Sequence, residues 1–291
     1  MKYHIPLVRH ELAAWIEGDS PVSVVASELA LDVARKVAES GWRERARERR
    51  FDEPTDMAGS CKFVSLFVKS VFGGLIKGNY DHQYNVVRGS LVDLNQDASD
   101  VLNMKLAGYP VYWHDGDFFG SCEHLDSLLS CAPRSNKWAK TFMLVWNCSS
   151  SMEVADLLID RFEYLERLRY LTSGWISSGS IAMGEVPSEA SIELAKDMLS
   201  TIADSAESEK QWNLKRVILG PLISGGISLE ATTSDNQFSV IINCANTGKV
   251  DFSFRDDEEW SEYEVSAEHA SEHARTLLAR PVSPRRAKRT I

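Results

Sequence analysis

Apolar residues recur at helical spacing in three stretches of the first 75 residues. The pattern predicts helices over residues 3–17 and 21–39, with a GDSP turn between them. A third stripe begins after Ser60, which suits an N-cap, and stops at two glycines, which suit a helix end. Its apolar members are Phe63, Val64, Phe67, Val68 and Val71. The third helix is therefore expected to start at position 61.

The pattern then changes to short strand-like runs. Residues 82–87 and 91–94 predict two strands joined by a turn at Gly89. Residues 109–120 predict a strand followed by a loop. The segments 123–131 and 136–145 predict two short helices, or a helix and a strand.

A polar run, NCSSS, predicts a domain boundary near residue 147. Two strongly amphipathic helices follow it, and then residues 225–256 alternate apolar and polar positions with breaks at SDN and NTG. That alternation predicts an antiparallel meander of four strands, with a last short helix after it.

The predicted fold class is therefore α+β. An N-terminal domain spans residues 1–147, and a smaller domain of helices and antiparallel strands spans 151–279. A basic tail at 280–291 is expected to be disordered.

Composition narrows the class of protein. The 291 residues are 44% hydrophobic and 25% charged, which is typical of a globular chain, and no apolar run approaches the ~20 residues of a membrane helix. The N-terminus does not resemble a signal peptide, so we expect a cytoplasmic protein without a membrane partner. Five scattered cysteines do not form a disulfide framework, and a net charge of −10 argues against a nucleic-acid partner.

The segment from 59 to 95 combines three residues that could perform nucleophilic catalysis. Cys61 is expected at the first position of a helix, where unpaired N–H groups and the helix dipole stabilise a thiolate and could hold an oxyanion. His82 would serve as the base, and Asp93 would hold the imidazole in the required tautomer. The predicted catalytic residues are thus Cys61, His82 and Asp93.

The spacing of this segment allows a geometric test. If Arg88 and Gly89 form a two-residue turn, then His82 and Asp93 lie diagonally on one face of the hairpin, within reach of each other. A three-residue turn would place Asp93 on the opposite face.

This order of residues resembles the transglutaminase-like superfamily, circularly permuted relatives of the papain-like cysteine proteases. GSCKFVSLF around Cys61, DHQYNVV around His82 and VDLN around Asp93 carry the resemblance, over about 45 residues. The spacings of 21 and 11 residues between the three are compact for that family. The resemblance implies a papain/transglutaminase-like fold for the N-terminal domain. It also implies acyl transfer through a thioester, by hydrolysis, deamidation or transamidation of a protein or peptide amide, without metal or organic cofactor.

Several assignments stay open at this stage. Ser60, Trp42 and Gln83 are candidates for the oxyanion site, and His114 either lines the cleft or replaces His82 as the base. A zinc site is disfavoured both at HASEH (269–273) and at a set formed by His114, Cys122, His124 and Cys131, which lacks a C-x-x-C pair.

A non-catalytic protein-binding module that keeps the fold is the alternative to an enzyme. The basic run RERARERR at 43–50 is typical of a solvated helix face, although it could also hold an acidic substrate segment. The pattern predicts neither the natural substrate nor the oligomeric state.

Overall fold

A computed structural model gives the fold in two compact units, Met1–Trp146 and Asn147–Ile291. The structure describes residues 4–18, 20, 22–147, 152–171, 176–178, 181–208, 214–233, 238–245, 247–256 and 259–278. The predicted disordered tail at 280–291 lies outside these residues. Among the described helices, none is both apolar and long enough to cross a membrane.

The first unit contains six helices and one small antiparallel sheet among its described residues. The helices are α1 (Arg9–Glu17), α2 (Glu28–Glu48), α3 (Cys61–Phe72), α4 (Ser99–Leu106), α5 (Gly116–Phe119) and α6 (Cys122–Asn147). The strands are β1 (Leu75–Gly78), β2 (Gln83–Val87) and β3 (Ser90–Val92), in that order across the sheet.

Helix α3 is the centre of this unit because it is buried around nearly its whole circumference. Every residue from Val64 to Phe72 is buried. On one side the helix packs against β1 and β2, and on the other its phenylalanines contact the rings of Trp138 and Phe142 in α6 at centroid distances of 5.5–6.2 Å. The residue at its N-terminus, Cys61, is only half-buried.

The hairpin between β2 and β3 has the predicted two-residue turn. Arg88 and Gly89 both have positive φ, 52° and 82°, as a type I′ turn requires. Val87 pairs with Ser90 in the antiparallel ladder, which confirms the predicted register. Asp93 directly follows β3, and His82 directly precedes β2.

Several predicted elements of the first unit differ from the structure. The predicted strand within 109–120 is wrong, since no strand forms there and the segment contains only the short helix α5. The segments 123–131 and 136–145 belong to one continuous helix, α6, which includes Pro133. Its buried face continues without interruption from Leu128 to Val145, so tertiary packing outweighs the helix-breaking tendency of proline.

The second unit is an antiparallel sheet covered by helices. Its described elements are α7 (Met152–Leu168), the hairpin β4 (Ile176–Ser178) and β5 (Ile181–Met183), α8 (Glu189–Ser208), β6 (Leu214–Pro221), β7 (Ile227–Thr233), β8 (Phe238–Cys244), β9 (Lys249–Asp256), β10 (Glu259–Ser266) and α9 (Ala267–Leu278). Strands β6 to β10 form a meander of five strands rather than the predicted four. Alternate residues such as Leu229, Ile242 and Phe252 are paired across the sheet and buried, and α8 and α9 pack on the sheet.

A close approach between α2 and α6 gives a testable prediction about the core. A Cβ atom at Gly41 would lie 2.0 Å from Nε1 of Trp138. Replacing a helix-interior glycine with alanine ordinarily stabilises a helix by about 1 kcal/mol. Here overpacking should outweigh that gain, so Gly41→Ala is expected to lower the free energy of unfolding by about 1–3 kcal/mol.

Urea denaturation followed by circular dichroism measures this change. Gly116→Ala is the matched control, because a Cβ atom there would meet no other atom within 4 Å. Equal or greater stability of Gly41→Ala relative to the unsubstituted protein would contradict the close packing of α2 against Trp138.

Candidate active site

Cys61 lies at the N-terminus of α3, and the backbone there is open to a ligand. Ser60 occupies the N-cap position but its side chain does not cap the helix. Its hydroxyl instead donates to the carbonyl of Met57 at 2.7 Å and accepts from the Asn95 amide at 2.7 Å. Among the described residues, no acceptor takes the backbone N–H of Cys61 or Lys62. These N–H groups are therefore available to an anion.

His82 and Asp93 form a buried pair. His82 Nε2 lies 2.9 Å from Asp93 Oδ2, and the two residues are 1% and 8% exposed. Burial alone disfavours the charged imidazole, but the interactions of the ring with Asp93 and with the Cys61 thiol outweigh burial and raise the pKa of His82 to about 9. The carboxylate thus binds one ring nitrogen and leaves the other, Nδ1, for the thiol.

The thiol lies near the imidazole without a completed hydrogen bond. Nδ1 of His82 has no hydrogen-bond partner among the described residues, although the sulfur is close enough to influence the titration of the ring. A contact that is loose before substrate binds is common at catalytic acid–base pairs.

Two further groups hold the Asp93 carboxylate. The backbone N–H of Asn95 donates to Oδ1 at 2.9 Å, and the hydroxyl of Tyr112 donates to Oδ2 at 3.1 Å. Burial and the negative charge of Asp93 together raise the pKa of Tyr112 to about 12, so its phenol remains a donor at neutral pH. Together with His82, these groups make three hydrogen bonds to the carboxylate, which hold it in one orientation.

Asparagine side chains connect the segments that carry the three residues. The side chain of Asn95 donates to Met57 and Ser60, just ahead of Cys61. The Asn79 oxygen accepts the backbone N–H of His82 at 3.1 Å, and its amide donates to the carbonyls of Val111 and Trp113 on either side of Tyr112.

Sequence reasoning missed Tyr112, Asn95 and Asn79. The contact of Asn95 could have been predicted from the sequence. An Asp side chain often accepts the backbone N–H of the residue two positions later in an Asx turn, and Asn95 lies two positions after Asp93. Tyr112 had none, since it lies 19 residues beyond its partner in a segment without regular structure.

The remaining sequence candidates lie outside the Cys61–His82–Asp93 contact. Ser60 cannot serve as an oxyanion donor, because both its N–H and its hydroxyl donate to Met57. The Gln83 carboxamide is buried between the Ser65 hydroxyl, 3.1 Å away, and His124 Nε2, 3.4 Å away. His114 is exposed on the surface, with Nδ1 3.1 Å from the carbonyl of Gly78.

Trp42 packs against the ring of Phe63 at a centroid distance of 5.6 Å. At 100° per residue, Phe63 points away from the side of α3 that bears Cys61, so Trp42 also lies away from the sulfur.

The other described cysteines and histidines do not assemble a second centre. Burial raises the pKa of both Cys131 and Cys244, the latter to about 12. Burial, and then the charge of Lys62, lowers the pKa of His124 to about 4, so that ring is neutral. No group of three or more His, Cys, Asp or Glu side chains in the described residues is arranged to hold a metal ion.

A thiol at an uncapped helix start lies beside an imidazole that is oriented by a carboxylate, and the carboxylate is itself held by a tyrosine and a backbone amide. Comparison of the chain with protein-family models, with curated proteins and with solved structures finds no match.

Proposed function

We propose that the protein is a cysteine-dependent hydrolase or acyltransferase that acts on an amide bond of a protein or peptide. One observation carries the proposal: Cys61 is placed at the start of α3 beside an imidazole whose other nitrogen binds Asp93 at 2.9 Å. That arrangement supplies a nucleophile, a base and an orienting group in one place.

The first half of the reaction forms a thioester. The Cys61 thiol gives its proton to His82 Nδ1, and the sulfur attacks the carbonyl carbon of the amide. The carbonyl oxygen becomes an oxyanion. When the tetrahedral intermediate collapses, the C–N bond breaks and the His82 imidazolium protonates the departing amine.

The second half releases the acyl group. A water molecule or an amine gives a proton to His82 and attacks the thioester, and the carbon–sulfur bond then breaks. The products are a carboxylic acid or a new amide, and the Cys61 thiolate recovers the proton held by His82. Neither half needs a metal or organic cofactor.

The uncapped start of α3 supports an oxyanion site. The backbone N–H groups of Cys61 and Lys62 have no other acceptor among the described residues, and they point in the direction of the helix dipole. Each donor of this kind lowers an acyl-transfer barrier by about 3–4 kcal/mol. The Ser60 hydroxyl donates to the carbonyl of Met57 and does not cap the helix, which leaves the N–H groups of the first turn open to the oxyanion.

The resemblance to transglutaminase-like enzymes agrees with this mechanism in the order of residues and in the elements that carry them. Cys61 begins a helix, and His82 and Asp93 flank the two strands of one hairpin.

Labelling with an electrophilic peptide probe, followed by mapping of the modified residue, tests the proposal. We expect Cys61 to be modified at pH 6–7 at least about tenfold faster than Cys122, because the imidazole of His82 interacts with the Cys61 thiol. Cys122 is a matched internal control, since it is exposed and is also the first residue of a helix. Equal labelling of Cys61 and Cys122 would contradict catalysis and leave a binding module.

A further inference from the structure

A basic groove adjoins the start of α3. It is a cavity of about 560 Å³ between α2, α3 and α6, and the residues on either side of the Ser60–Cys61 pair, Gly59 and Lys62, contribute to its lining. A volume of this size is typical of a ligand cleft. The groove therefore begins at the peptide units that flank the proposed nucleophile and continues over the face of α3 that bears Phe63. A polypeptide bound in it would cross the start of the helix to bring an amide bond to the Cys61 sulfur.

The charge of this groove is opposite to that of the whole chain. Five basic side chains line it against one acidic side chain, and these are Arg45, Arg49, Lys62, Arg134, Lys137 and Glu48. The protein as a whole has a formal net charge of −10. A local cluster of cations on an acidic protein produces a field that selects anionic ligands.

Ion pairs within the protein satisfy only part of this cluster. Glu48 pairs with Arg134, and Glu44 pairs with Lys137 at 2.6 Å. Within the described part of the chain, no carboxylate forms an ion pair with Arg45, Arg49 or Lys62. Burial and the neighbouring charges of Arg49 and Arg134 lower the pKa of Arg45, which is the effect expected of crowded cations.

Aromatic packing holds one of the unpaired cations in place. The Arg45 guanidinium lies 4.6 Å from the ring centre of Trp42 and 5.2 Å from that of Phe63. Lys62 donates to the Ser127 hydroxyl at 2.7 Å. Cations positioned before a ligand arrives bind it at a lower entropic cost.

We propose that the basic groove binds an acidic segment of the substrate polypeptide, so that the enzyme acts on amide bonds close to clustered Asp or Glu residues. This inference rests on the proposed function, because it names the substrate class for the same site. A peptide is favoured over a nucleic acid because the overall negative charge would repel a long polyanion.

The test compares three electrophilic peptide probes that differ only in charge, with Glu-Glu, Gln-Gln or Lys-Lys beside the reactive group. With the full chain in low salt, we expect the Glu-Glu probe to modify Cys61 about 10–100-fold faster than the Gln-Gln probe, and the Lys-Lys probe to be slowest. In 0.5 M NaCl the difference between probes should largely disappear.

Arg49→Gln is the diagnostic variant. It should lower the ratio of the Glu-Glu rate to the Gln-Gln rate about 3–10-fold, because the lost attraction acts on the charged probe. Arg88→Gln is the matched control, because it removes the same charge from an exposed hairpin turn. The control should behave like the unsubstituted protein.

The outcomes separate this inference from the proposed function. If the Gln-Gln probe modifies Cys61 but charge makes no difference, or if Arg88→Gln has the same effect as Arg49→Gln, the groove inference is wrong and the enzyme proposal stands. If no probe modifies Cys61, a fluorescent Glu-rich peptide still tests the groove by anisotropy. Tight binding that Arg49→Gln weakens supports an acidic-peptide site without catalysis, and stronger binding of a single-stranded oligonucleotide overturns the peptide assignment.

Discussion

Replacing His82 with alanine is expected to lower the rate of acyl transfer by about 10²–10⁴-fold, the usual contribution of a positioned acid–base group. The same variant should slow alkylation of Cys61 by iodoacetamide at neutral pH, because the imidazolium that stabilises the thiolate is lost. Stopped assays with a peptide amide and mass-spectrometric mapping of Cys61 measure the two effects.

The pH dependence separates the two roles of His82. Its pKa of about 9 means that the imidazolium persists through neutral pH and is lost as pH rises through that value. Turnover should therefore decline above about pH 9, because no proton is available for the leaving amine. Alkylation needs only the thiolate and should not decline there.

His114→Ala is the control for this experiment, since His114 is exposed and lies outside the contact of His82 with Asp93. It should retain the full rate. If His114→Ala lost most of its activity while His82→Ala remained active, the base would be His114 and not His82.

Replacing Asp93 with asparagine is expected to lower turnover by about 10²–10⁴-fold with little change in substrate affinity. The carboxylate accepts a hydrogen bond from His82 Nε2, which leaves Nδ1 free to take the thiol proton. An asparagine amide would donate to Nε2 instead, and the neutral ring would then carry its proton on Nδ1. Measurement of kcat and KM for a peptide amide separates this tautomer effect from a loss of binding.

Two further variants serve as comparisons for Asp93→Asn. Tyr112→Phe removes one of the hydrogen bonds to Asp93 and should reduce kcat by no more than about tenfold, in keeping with about 1 kcal/mol for such a bond. Asp97→Asn removes a nearby charge that pairs with Arg35 on the surface and should have no measurable effect. Equal rates for Asp93→Asn and Asp97→Asn would exclude Asp93 from the mechanism.

The elements that sequence analysis predicted well are those governed by local rules. Helix α3 starts after Ser60 as predicted, although the Ser60 side chain makes no capping hydrogen bond, and it ends at Gly73, whose positive φ of 73° favours glycine. The pairing of Val87 with Ser90 follows from the two-residue turn, because positive φ at Arg88 and Gly89 leaves only that register.

Predictions failed where distant contacts decide the backbone. The segment around Pro133 remains helical because its apolar face packs on α3 and because the Ser135 hydroxyl donates to the carbonyl of Phe63 at 2.9 Å. Asn136 contributes by exchanging two hydrogen bonds with the backbone of Ile5. No pattern within a window of ten residues contains this information.

The sequence by itself determined the order of the three candidate catalytic residues and the hairpin geometry that brings His82 and Asp93 onto one face, because strand alternation and turn type are local properties. Only the tertiary structure decided which groups complete the site. The hydroxyl of Tyr112, which lies in a segment without regular structure, donates to Asp93. The basic groove is lined by residues of α2, α3 and α6 at positions as far apart as 45 and 137. Such contacts depend on how whole elements pack, and the spacing of apolar residues along the chain does not predict them.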